Sequence, residues 1–148
     1  MDNKTILKVE YEIAQIDKLL DETEPLLKLA KMKIPDHIEK SALGLFLHSF
    51  YCGVENIMKF IMKSIHGKLP SNLNWHKELL EMCFIETPDK GPLFSENLHK
   101  TLDDYLRFRH FIRNNYSYRL DWKQMEPLIM DIGQHWKLVK KHIESFIK

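Results

Sequence analysis

Residues 37–66 read HIEKSALGLFLHSFYCGVENIMKFIMKSIH. No proline interrupts them, and Gly44 and Gly53 stand alone. Leu43, Phe46, Phe50, Val54, Ile57, Ile61 and Ile65 recur at three- and four-residue steps, the periodicity of an α-helix. Leu45, Tyr51, Met58 and Phe60 widen that stripe, so the helix is expected to pack against more than one neighbour. Asp36 and Glu39 form a capping box at its start, and Gly67, Pro70 and Asn72 end it. Thirty residues at 1.5 Å each span about 45 Å, enough for the spine of a bundle.

The flanking segments are helical too. Asp2 or Asn3 can cap a first helix carrying Ile6, Val9, Ile13, Ile16, Leu19 and Leu20. Pro25 either kinks it or opens a second short helix through Leu29, and Lys31, Lys33 and Pro35 close the segment. Beyond the spine, Trp75 to Phe84 reads as a short helix with Leu79, Leu80 and Cys83 inward. A loop follows from Thr87 to Pro92. Ser95 is expected to cap the next helix, whose stripe is Leu98, Leu102, Tyr105 and Ile112. It ends near Asn114 or Asn115, residues that tolerate left-handed backbone at a helix end. Asp121, with Gln124 at the box position, caps a last helix. Pro127 falls in its early turns, and Leu128, Ile132, Trp136, Val139, Ile143 and Phe146 carry it to the end. With no strand pattern, the expectation is an all-α antiparallel helical bundle of about five helices, a single domain over 1–148.

Composition narrows the function. The 148 residues are 44% hydrophobic, enough for one core, and their net charge of +1 creates no global pull on nucleic acid. Cys52 and Cys83 sit in apolar helical contexts and read as reduced thiols. The N-terminus MDNKTILKVEYE is no signal peptide, and no apolar run spans a bilayer, so a cytoplasmic protein is expected. There is no glycine-rich phosphate loop, HExxH or CxxC. The charge run Lys137 to Lys141 reads as a solvated helix face. His48, Cys52 and Glu55 share a helical flank, but the third is a turn too far for a good metal site. They read as a polar cluster near the core, with Glu55 reaching an arginine of the later helix. Neither a metal nor a cofactor is expected.

Chemistry concentrates in Arg107 to Trp122, RFRHFIRNNYSYRLDW. Of 22 basic residues only four are arginine, and all four lie here: Arg107, Arg109, Arg113 and Arg119. No acid occurs from Tyr105 to Leu120. Arginine's planar fork fits phosphate oxygens two at a time, so its segregation into one segment points to a phosphate or carboxylate site. Tyr105, Phe108 and Phe111 flank these arginines, and aromatic residues with arginine mark interface centres.

This stretch resembles the signature region of the HepT toxins of the HEPN superfamily, whose motif is Arg, four residues, His, one residue, Tyr. Arg109 and Tyr116 match, and Asn114 stands at the histidine position. Tyr118-Arg119-Leu120-Asp121-Trp122 is similar to the family's continuation into its last helix. So are Leu47-His48-Ser49-Phe50-Tyr51-Cys52-Gly53-Val54-Glu55 and Trp75-His76-Lys77-Glu78-Leu79-Leu80 upstream. The resemblance covers roughly Ser41 to Met130.

It implies a helical bundle that forms a homodimer through its signature helices, with a composite site that cleaves RNA, tRNA above all, without metal. Arg109 is then the charge stabiliser. Asn114 cannot be the proton handler, because a neutral amide has no pKa near seven. His110 could step in, but on an ideal helix it lies about 40° around and a turn before Asn114. Arg107, Arg113 and Arg119 would hold RNA phosphates, with Glu55 and His48 in support. Tyr116 would accept AMP units from a partner nucleotidyltransferase, the MNT antitoxin. The alternative is a non-catalytic HEPN module that binds RNA, a nucleotide or that nucleotidyltransferase through the Arg109 face.

Overall fold

The computed structural model describes all of residues 1–148 and contains six α-helices and no strand: α1 (Asn3–Met32), α2 (His37–His66), α3 (Trp75–Met82), α4 (His99–Asn114), α5 (Trp122–Met130) and α6 (Ile132–Ile147). No helix is long and apolar enough to cross a membrane. At the start of α2 the backbone N–H of Glu39 donates to Asp36 Oδ1 at 2.8 Å, and that of Asp36 donates to Glu39 Oε1 at 2.9 Å. At its end, Gly67 adopts a left-handed φ of 75°, which a side chain would oppose.

The two glycines inside α2 are seats for its neighbours. A Cβ on Gly53 would sit 2.8 Å from Ile16 Cγ1, so α1 crosses here at close range. One on Gly44 would meet Ile112 Cδ1 at 3.0 Å and Leu120 Cδ1 at 3.1 Å, where the end of α4 docks. Between them Phe50 is fully buried. Its ring lies 5.2 Å from Tyr105 of α4 and 6.0 Å, edge-on, from Trp136 of α6. Polar pins hold the layers in register. Trp136 Nε1 and Lys140 Nζ donate to the two oxygens of Asp17, tying α6 to α1 at 2.7 and 2.8 Å. The Tyr105 hydroxyl donates to the Leu128 carbonyl of α5 at 3.0 Å.

The structure departs from the sequence expectations in four places. First, Pro25 neither breaks nor restarts a helix: α1 runs through it to Met32. Pro25 lies on the exposed side, so the carbonyl that loses its intrahelical donor is free to meet water. Second, the last helix is two. α5 stops at Met130 and α6 begins at Ile132, with Asp131 between them. Pro127 and Gly133 weaken helix propensity on either side of the break, while Leu128, Ile132 and Trp136 stay buried across it.

Third, both caps of α4 differ. Ser95 precedes a 3₁₀ turn over Glu96–Leu98, and its hydroxyl bonds Asn97 and His142 rather than a backbone amide. The backbone of Asn115 is extended, not left-handed. The asparagine amides close the helix instead: Asn114 Nδ2 donates to the His110 carbonyl at 2.8 Å, and Asn115 Nδ2 to that of Phe111 at 2.9 Å. Fourth, Leu45 is 63% exposed rather than part of the packed stripe.

Candidate active site at the end of the fourth helix

Gly44 seats Ile112 at the end of α4, and one turn earlier Arg109 faces inward. Arg109 is buried against α2 and faces Glu55, itself buried, with Nε 3.9 Å from Glu55 Oε1. The shorter bond of Glu55 goes elsewhere, to His76 of α3, whose Nδ1–H donates to Oε2 at 2.7 Å. Arg109 Nε is therefore buried without a hydrogen-bond acceptor. A guanidinium held this way is compensated in charge while one of its buried donors goes without a hydrogen bond.

His48 lies on the same flank of α2. Burial, then the positive charges of Arg109 and Arg113, hold its imidazole below the usual histidine pKa, so it stays neutral beside the arginines. Cys52 Sγ sits 3.7 Å from His48 Nε2. Glu55 bonds His76, and no three His, Cys, Asp or Glu side chains converge as a metal site.

The open end of α4 carries the other residues singled out from the sequence. Arg113, His110 and Asn114 are exposed. Asn114 folds back along the helix, so its amide nitrogen comes within 3.5 Å of His110 Nδ1. The imidazole one turn below thus shares a patch with the amide, closer than the ideal-helix argument implies. Tyr116 is 74% exposed just past the helix end and does not pack against α5 or α6.

Arg107 does not join them. Its Nε donates to Asp103 at 2.8 Å, and Lys77 of α3 takes the other oxygen at 2.8 Å. Burial pushes the Asp103 carboxyl up, but the bonds from Lys77 and Arg107 outweigh it and hold the group below the usual carboxylate range. Arg119 leans over the Tyr118 ring. His76, the closest partner of Glu55, was legible only as one residue of a similar stretch. Nothing in its spacing announced a bond to a residue 21 positions back.

A family model described as a HepT-like protein matches residues 42–148. The chain belongs to the HepT-like family. Among curated proteins and solved structures no match was found. The HepT-like match starts in the second turn of α2 and runs to the C-terminus, so it takes in every residue of the site and leaves α1 outside.

Proposed function

We propose that this HepT-like protein is built as a ribonuclease toxin that cuts RNA, tRNA foremost, without metal. The site is composite, formed where two copies meet along the outer faces of α4, and cleavage is weakened at Asn114. One observation carries the reading: the guanidinium of Arg109 is anchored at a buried carboxylate, lacks a hydrogen-bond acceptor at Nε, and adjoins an acid-free, exposed helix end. In RNA cleavage by attack of the ribose 2′-hydroxyl, charge gathers on the phosphorane oxygens, and a preorganised donor such as Arg109 stabilises it. Protons must also leave the attacking oxygen and reach the departing one. Asn114 has no titratable proton, and its amide is already engaged with the His110 carbonyl. His110 is the imidazole at hand. Arg113 extends the positive surface along the RNA backbone.

The exposed phenol of Tyr116 fits acceptance of AMP from a partner nucleotidyltransferase antitoxin in the cytoplasm. The engaged amide of Asn114 favours a second reading, a module that binds RNA or the partner without cutting. Incubating the chain and its Asn114→His variant with total tRNA in a chelator separates the two. The expected result is a gain of about 10²–10⁴-fold in cleavage for the variant. No cutting by a variant that still dimerises in light scattering assigns the chain to the binding module. Robust cutting by the unmodified chain, lost in His110→Gln, assigns proton transfer to His110.

A further inference from the structure

Packing does not account for the two tyrosines beyond α4. Tyr116 is 74% and Tyr118 66% exposed, yet their rings lie nearly parallel, centroids 5.7 Å apart and planes within 10°. Arg119 places Cζ 5.9 Å from the centre of the Tyr118 ring. The segment is anchored rather than loose. Its turn is closed by Arg119 N donating to the Tyr116 carbonyl at 3.0 Å and Leu120 N to that of Ser117 at 3.1 Å. Leu120 is buried, with its methyls at Gly44, and Lys40 Nζ donates to its carbonyl at 3.2 Å. The nearest acid in sequence, Asp121, accepts from Lys123 N as the cap of α5.

A rigid pair of stacked phenols in water forgoes the stabilisation that burial would bring. Its shape and charge fit one class of ligand. Unpaired nucleobases stack on flat aromatic faces, whatever their sequence, while arginines hold the phosphates between them. A duplex offers no free base faces.

We propose that Tyr116 and Tyr118 form a base-stacking platform for unpaired RNA nucleotides, with Arg119 and Arg113 on the adjoining phosphates. The inference rests on the preceding reading for the identity of the polymer, and it narrows the substrate to loops and single strands.

The test measures binding of a short fluorescent single-stranded RNA, its abasic counterpart of equal charge, and a duplex of the same length. The proteins are the full chain and its Tyr116→Leu, Tyr118→Leu and Tyr118→Phe variants. The expected result is tighter binding of the base-bearing strand than of the other two. Each leucine variant should weaken it about 5- to 150-fold, and the phenylalanine variant should leave it unchanged. Equal affinity for the base-bearing and abasic strands overturns the platform, as do leucine variants that bind like the parent. A shift of the leucine variants to lower mass in light scattering, with RNA binding intact, assigns the tyrosines to a protein interface instead. The two proposals fail separately: discrimination against the abasic strand can persist when Asn114→His does not cut, and cutting can persist without discrimination.

Discussion

The two halves of α4 treat charge in opposite ways. In the first, every charged side chain has a partner within the chain. His99 bonds Glu81 at 2.7 Å, Lys100 pairs with Asp104 at 3.0 Å, and Asp103 takes Lys77 and Arg107 together. Just past the midpoint Arg107 still closes that group, whereas the only acid of Arg109 is Glu55, 3.9 Å away. In the second half Arg113 has no acidic partner, and His110 and Asn114 face water. Local pairing makes the first half a structural element. In the second half Arg113 is left without an acid inside the chain, the arrangement on which the proposed phosphate site rests. Arg107 and Arg109, two residues apart, thus differ in kind: one is exposed and closes a surface pair with Asp103, the other is buried against Glu55.

The largest effect should separate these two arginines. In the Asn114→His background, Arg109→Ala is expected to lower tRNA cleavage by about 10²–10³-fold, the cost of losing a preorganised donor at the reacting phosphate. Arg107→Ala should leave the initial rate within a factor of about two. Equal losses in the two variants would erase the distinction between the halves.

Next in size is the carboxylate behind each arginine. Glu55→Ala strands a buried Arg109 and should cost about 3–5 kcal/mol in chemical denaturation. Asp103→Ala frees Lys77 and Arg107, whose side chains are 51% and 78% exposed and rehydrate easily. Its cost should be about 1 kcal/mol or less. Comparable losses would mean that the Glu55 pair is no more demanding than a surface bridge.

A smaller effect lies in the salt dependence of RNA binding. Arg113→Ala should flatten the slope of log affinity against log salt by about one, because one fewer phosphate is neutralised by the protein. Arg107→Ala should not change it. The smallest concerns pH. His48 has a depressed pKa in the folded chain against an ordinary value of 6.5, so the unfolded chain binds more protons in between. The stability contributed by neutral His48 is present above about pH 6.5 and is lost as pH falls toward the folded pKa. Denaturation midpoints recorded across that range should fall with acid, and His48→Gln should remove part of the fall.

Much of the fold was legible because helices are written in local terms. Leu45 apart, the apolar steps of α2, its capping box and its glycine stop stand as read. The ends of α4 were read less well. A serine before a helix and asparagines after it have more than one way to satisfy backbone groups. Here Ser95 turned to a neighbour on α6, while the two amides bonded carbonyls a turn back. The break at Asp131 escaped because the apolar face continues across it, and periodicity alone does not register a one-residue interruption.

By itself, then, the amino-acid order determined the helices, the family and the arginine-rich, acid-free segment, since each depends on residues near one another in the chain. Only the tertiary structure decided which charges are paired. Lys77 meets Asp103 across 26 residues, and His76 meets Glu55 across 21. Such pairings depend on how helices rotate and cross, and the small residues that set the crossings, Gly44 and Gly53, carry no charge to advertise the outcome. The same rotation buried Arg109 and left Arg107 outside, a difference that two arginines in one helical segment do not reveal until the helix has a neighbour to pack on.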